Sequence, residues 1–305
     1  MVDTFEFTEK PQSKEIYMLA GWRQWADAGS VSSGLPVYLT QLTDARPIGM
    51  INPEGFYLFQ IPGTHHLLRP IVKFDQGYPK SLESSRNEFF YTGDEERGLV
   101  IFLGDEPHLD IERYVTAFLE AAQTLGVKRI AGFGGVYGEV PYNKERTISS
   151  TYSQPRLKEQ VKALAVNLSD YEGGASIGSV ICRRAAERGI EYISFYAFVP
   201  LYDFSNLAQV SHSIRIENDF MAWLGVMQRA NFLLKLGLDL SDLEEKSHLL
   251  VQKLDAEVEE LIKSTPSIGI REYFDQLSAD FTEMPFMPPD DFWEEKLRGL
   301  FDDFD

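Results

Sequence analysis

The sequence predicts an α/β protein: a three-layer α/β/α core with a mainly parallel or mixed sheet, followed by a helical C-terminal extension. Three observations predict it. "GLVIFLG" (98–104) and "IEYISFYAFVP" (190–200) are continuous apolar runs, as expected of strands covered on both faces. Amphipathic helices alternate with such strands between residues 98 and 200, the signature of βαβ units. The third is a shift in composition. From Asp239 to Asp305 there are 6 Lys and Arg against 19 Asp and Glu, so this segment carries −13 of the net −18. The expected division is therefore a core over 1–238 and an acidic helical extension over 239–305.

Taken in order, "EIYMLAG" (15–21) reads as the first strand. After the loop "WRQWADAGSVSS", a helix beginning near Ser30 contains Pro36 and is expected to be short or kinked. "RPIGMIN", "GFYLFQI" and "NEFFYTG" have strand character between Gly and Pro breaks. Ile111, Tyr114, Val115, Phe118, Leu119 and Ala122 recur at helical spacing, and Gly126 ends that helix. "VKRIA" is a buried strand that leads into a glycine-rich loop from Gly132. "RTISST" is read as a further strand, and Pro155 suits a first helical position. "YEGGASIG" opens into a helix that ends at Gly189. From about Ser205 the chain is expected to be helical to its end. Its "NDFMAWLGVMQRANFLLKLG" is apolar nearly all round and so buried, and Ser241 with Glu244 forms a capping box before a single apolar stripe.

Composition excludes several classes. A net charge of −18 opposes general nucleic-acid binding. No apolar stretch reaches membrane-span length, and "MVDTFEFTEKPQSKE" has no apolar leader region. The single cysteine, Cys182, forms no internal disulfide and fits a reducing compartment, so the expected location is cytoplasmic. His65, His66, His108, His212 and His248 lack zinc-helix spacing, and no metal or other cofactor is expected.

The candidate sites keep two readings each. In "GFGGVYGEVPYNKERT", Gly132, Gly134 and Gly135 would either cradle a phosphate or let the loop pack closely. Tyr137 stands where the dinucleotide fingerprint has its third glycine. Tyr142, Lys144 and Arg146 follow, as anion partners or as an ordinary solvated loop. Glu172, Gly173, Gly174 and Ser176 precede a helix and would hold an anion at its start, or make a turn and a cap. Trp22, Trp25 and Asp27 would line a pocket, or serve as core anchors and a helix cap. Asp105 and Glu106 in "GDEP" would act as acid and base, or simply favour a helix start. Cys182 lies among apolar neighbours as a buried thiol.

The succession "GWRQWADAGSV", "GDEP", "GFGGVYGEVPY", "YEGGASIG" and "FYAFVPLY", spanning Glu15 to Leu238, resembles the proteasome assembly chaperone family, the broad family named after the second of those chaperones. "LSDLEEKSHLL" resembles the C-terminal helices of its longer bacterial members. The resemblance implies a sheet domain shaped like nucleoside phosphorylases and peptidyl-type hydrolases, and self-association into a homo-oligomer. It brings no catalytic mechanism. Eukaryotic members guide proteasome α-ring assembly, and some archaeal relatives bind proteasomes through a C-terminal hydrophobic–tyrosine–any tripeptide. This chain has "DFD", with Asp303 and Phe304 departing from that pattern, which argues against docking on proteasomes by that route.

The expectation is thus a non-enzymatic scaffold or chaperone-like protein. Phe292, Trp293, Leu297, Leu300, Phe301 and Phe304 of the acidic tail would contact a protein partner, or dock on the chain's own body. The alternative is an enzyme or binder of a small anionic or nucleoside-like ligand at the glycine-rich loops.

Overall fold

In the computed structural model of the protein, residues 4–60, 69–83, 85–204, 213–265 and 269–287 are described. Their order is β1 (Phe5–Phe7), β2 (Glu15–Arg23), α1 (Gly34–Leu42), β3 (Arg46–Ile51), β4 (Ile71–Asp75), β5 (Tyr78–Glu83), β6 (Asn87–Gly93), β7 (Arg97–Asp105), α2 (Ile111–Thr124), β8 (Val127–Gly138), β9 (Ile148–Tyr152), α3 (Lys158–Lys162), β10 (Asn167–Leu168), α4 (Ile177–Arg188), β11 (Glu191–Asp203), β12 (Ser213–Arg215), α5 (Phe220–Leu234), α6 (Ser241–Ser264) and α7 (Ile270–Asp280).

The main sheet runs β1-β3-β6-β7-β2-β8-β11-β9-β10, with β12 added to the end of β11. β7, β2, β8 and β11 are parallel and central. β6 and β9 flank them antiparallel. The central strands bury both faces. Leu19, Ile101, Phe133, Ile193 and Phe195 point to the first face, under α1 and α5. Met18, Val100, Phe102, Ile130 and Tyr192 point to the second, under α2 and α4. This alternation on apolar strands is what the continuous runs require.

Local chemistry sets the helix ends. Pro36 is the third residue of α1, where the first-turn amides have no intrahelical partner, so it begins the helix rather than kinking it. Ser176 caps α4 by accepting from Ser179 N at 3.2 Å, and Gly189 stops it at φ +70°. Asp219 caps α5, accepting from Ala222 N at 3.1 Å.

The described part of the acidic segment lies against the first face. Leu243, Leu254 and Val258 of α6 and Ile270 and Phe274 of α7 belong to the same apolar cluster as α1 and α5. Arg229 of α5 is buried and donates to the carbonyls of Leu164 (2.9 Å), Ala165 (3.0 Å) and Met284 (3.2 Å), and Phe286 covers its guanidinium. Burial pulls its pKa below the ordinary arginine value.

Several elements differ from the sequence reading. The glycines from Gly132 continue β8 through Gly138 instead of leaving it as a loop. The "GFYLFQI" stretch opens in a turn and forms no strand over its described residues, and the strand character appears instead in the β4–β5 hairpin. The segment after Pro155 divides into a 3-10 turn and the short α3, which stops before Ala165 at φ +51°. β12 interrupts the helical C-terminal region. The Ser241–Glu244 capping box is not made: Ser241 is the first residue of α6, its N–H goes to Asp239 Oδ1 at 3.0 Å, and no side chain caps the helix.

If α6 is part of the core, its buried face carries stability. Leu243→Ala should cost about 2–5 kcal/mol in urea unfolding, whereas Leu249→Ala, 55% exposed on the same helix, should change it by no more than about 0.5 kcal/mol.

Candidate functional site

The C-terminal ends of the parallel strands share one edge of the sheet, the usual place for a site in an α/β protein. The glycines there accommodate the chain itself. A Cβ at Gly132 would lie 2.2 Å from the Tyr192 hydroxyl, and one at Gly134 2.4 Å from the Tyr196 ring. At Gly135 it would lie 2.0 Å from the Ala28 carbonyl oxygen, because the loop after β2 crosses β8 here. Gly135 N donates to Ala26 O at 2.9 Å, and Asp27 bridges to Gly135 as a single extra strand position. Of the two readings of this glycine run, the structure favours close packing.

Asp27, Arg146 and Asp105 are each engaged by backbone, whereas Lys144 pairs with Glu283 Oε2 at 3.2 Å. Asp27 accepts from Ser32 N (3.0 Å), Ser33 N (2.9 Å) and Ser33 Oγ (2.7 Å), which fixes the approach to α1. Burial nonetheless pushes its carboxyl up. Arg146 is fully buried with Asp219, at 2.8 Å, and also donates to the carbonyls of Pro141, Tyr142 and Lys144. It therefore ties the loop after β8 to the cap of α5. Tyr142 donates to Asp255 Oδ1 of α6 at 2.9 Å, and burial raises its phenol. Trp22 is in the second-face core, its Nε1 donating to the Tyr114 hydroxyl at 3.0 Å. Asp105 accepts from Arg23 Nη2 (2.8 Å) and Arg86 N (2.9 Å).

The start of α4 already holds an anion-type group from the chain. Glu106 Oε1 accepts from Ile177 N at 2.6 Å, and Oε2 accepts from Trp25 N at 3.2 Å. An added anion at this helix start would meet a carboxylate.

Beside it a cleft of about 380 Å³ opens between β11, β9 and the segment before α4. β11 outruns the helix that covers it. Tyr192 and Ser194 are buried, whereas Tyr196 and Phe198, further along the same face, line the cleft. Ser149, Thr151, Ser169, Ser176 and Ser179 add hydroxyls. Ser176 and Ser179 lie 3.2 and 3.3 Å from the Tyr196 hydroxyl. Trp25 and Tyr171 stand at the cleft, 69% and 71% exposed.

Of the sequence candidates, Trp25, Gly173, Gly174 and Ser176 line this cleft. Glu172 is exposed outside its lining. Trp22, Asp27, Gly132, Gly134, Gly135, Tyr142 and Arg146 are not part of that lining. The sequence reading missed Tyr171, Tyr196 and Ser179. The available signal was the polar pair Ser194 and Tyr196 breaking an apolar strand at two-residue spacing. Cys182 is buried, which raises its thiol pKa. His108 accepts from Leu58 N at 3.1 Å, and burial lowers its imidazole. Among the described residues no group of three or more His, Cys, Asp or Glu could hold a metal, and no helix is long and apolar enough to cross a membrane. His65, His66, His212 and the tail candidates Phe292, Trp293, Leu297, Leu300, Phe301 and Phe304 lie outside the described residues.

The model of the PAC2 family matches residues 22–259, and the chain belongs to that family. Among solved structures it is similar to a PAC2 family protein from Streptomyces avermitilis (23% identity, 85% of this chain and 99% of that one, TM-score 0.67). A proteasome-assembly chaperone homologue from Mycobacterium tuberculosis is similar at 20% identity, with the same coverages and a TM-score of 0.68. The archaeal proteasome activator PbaB from Pyrococcus furiosus is similar at 21% identity, over 84% of this chain and 98% of that one, with a TM-score of 0.57. At these identities the likeness is one of fold. No curated protein is similar enough to count as a match.

Arg146→Met leaves Asp219 buried without its cation, and urea unfolding should show a loss of about 3–5 kcal/mol. Burial holds the Glu106 carboxyl above the ordinary carboxylate range, against the pull of its two backbone donors. The native state then binds more protons between the unfolded and folded pKa values, so this group removes stability as pH rises through that window. Glu106→Gln should lack that part of the decline when melting is followed from about pH 4 to about pH 7. Superimposable pH profiles of the wild type and the variant would contradict it.

Proposed function

We propose that this is a non-enzymatic, chaperone-like protein that works through protein–protein contacts as a homo-oligomer. The β4–β5 hairpin carries the reading. Every residue of both strands is exposed, including Phe74 at 62% and Leu82 at 67%. Val72 pairs with Leu82 and Phe74 with Pro79, so one side of the ribbon is apolar. A two-stranded ribbon is marginal in water by itself, and an exposed apolar face of this kind marks a contact surface.

Its occupant is a second copy of the chain. The hairpin's charges cancel, with Lys73 and Lys80 against Asp75 and Glu83. Two hairpins can therefore meet about a two-fold axis without adding like charge, in a protein whose net −18 opposes contact elsewhere. Membership of the PAC2 family supports the chaperone-like role, as do the names of two similar structures, a proteasome-assembly chaperone homologue and a proteasome activator. The engagement of Asp27, Arg146 and Glu106 by backbone supports a contact role over catalysis at the sheet edge.

Light scattering over a concentration series tests the reading. The wild type should be an oligomer, and the double variant Phe74→Ser, Leu82→Ser should shift to monomer with its circular dichroism unchanged, because both side chains are exposed in the single chain. A monomeric wild type, or a double variant of unchanged mass, would overturn it.

A further inference from the structure

We propose that the cleft at the start of α4 binds an uncharged planar ring compound with polar edge groups, a free nucleoside being the simplest class, and rejects its phosphorylated forms. Its volume of about 380 Å³ is that of a small-molecule pocket. The lining side chains are all uncharged. They combine aromatic rings with a floor of hydroxyls, more polar partners than a hydrocarbon ring would use.

The rings converge on one point. Trp25 Cζ2 lies 3.5 Å from where a Cβ of Gly174 would be, and the Tyr171 hydroxyl donates to Gly174 O at 3.3 Å. Both rings are open to solvent at the cleft, so a planar ligand can stack without displacing a core residue. Rejection of phosphate follows from Glu106, whose carboxylate already takes the Ile177 amide at 2.6 Å.

A second, independent observation concerns a small recess beside the cleft. The Tyr192 side chain is fully buried, and among the described residues no group meets its hydroxyl in hydrogen-bond geometry. A buried polar group without a partner is costly, and a native structure needs a reason for it. That hydroxyl and the Tyr196 hydroxyl converge on the first turn of α4, 3.3 and 3.2 Å from where a Cβ of Gly178 would lie. Tyr192 lines a recess of about 10 Å³, with Glu106 also in its wall, that shares Ser176, Tyr196 and Ala26 with the cleft. The recess is about the size that one water or one polar ligand atom occupies. A ligand seated between the rings reaches the Tyr192 hydroxyl there, directly or through that water.

The test is calorimetric titration of the full chain with adenosine, adenosine monophosphate and inorganic phosphate, paired with tryptophan fluorescence. Adenosine should bind and quench, the monophosphate should bind more weakly, and phosphate should give no heat. Trp25→Ala, at an exposed position, should weaken adenosine binding about tenfold. Tyr192→Phe should weaken it too while leaving the melting temperature equal or higher, since it removes a hydroxyl that no described residue meets in hydrogen-bond geometry. No heat or quench at about millimolar adenosine would overturn the proposal. So would Trp25→Ala binding as well as the wild type, or the monophosphate binding as tightly as adenosine.

Discussion

The structure depends on the close crossing of one loop over the end of the sheet. After β2 the chain turns back across β8, and this is possible only where strands lack side chains. Gly21 faces the Ser32 carbonyl so closely that a Cβ would lie 1.9 Å from it, and Gly135 faces the Ala28 carbonyl in the same way. One backbone bond and the Ser32 hydroxyl then fasten the crossing: Gly135 N donates to Ala26 O at 2.9 Å, Ser32 Oγ donates to Phe133 O at 2.7 Å, and Trp22 N donates to Ser32 Oγ at 2.8 Å. These replace the solvent hydrogen bonds that a loop on the surface would otherwise make.

Other features follow from that crossing. The loop places Asp27 where it can hold Ser32 and Ser33 at the approach to α1. It presents Gly29 O to two donors, Asp219 N at 3.0 Å and Trp223 Nε1 at 2.9 Å, and so seats α5 on the first face. Asp219 in turn meets Arg146, which gathers the loop after β8. On the other side the same loop carries Trp25 to Gly174 and the start of α4. One close approach thus links both helical layers and forms one wall of the neutral cleft.

Much of this architecture was legible in the sequence. The central strands and α2, α4 and α5 follow from apolar runs, helical spacing and terminal glycines, since burial on both faces leaves no other pattern. The order of the glycine and tryptophan motifs pointed to the family. The site was less legible, because its key facts are long-range. Nothing local in "GFGGVYG" says that the partner of Gly135 is Ala28, or that Glu106 will reach the amide of Ile177. Arg146 looked like a solvated loop residue because Asp219, which pairs with it, is distant in sequence. The β4–β5 hairpin escaped notice for another reason: with every residue exposed, it has no buried face to impose a readable alternation.

Within the glycine run, Gly135 is the position that the chain's own crossing requires. Thermal and urea unfolding of Gly135→Ala beside Gly174→Ala tests it most directly. At Gly174 a Cβ finds its nearest neighbour at an ordinary 3.5 Å, so that variant should stay within about 0.5 kcal/mol of the wild type. At Gly135 the added methyl must push a backbone carbonyl aside, and the variant should melt far lower or fail to fold. A Gly135→Ala protein as stable as the wild type would contradict the account.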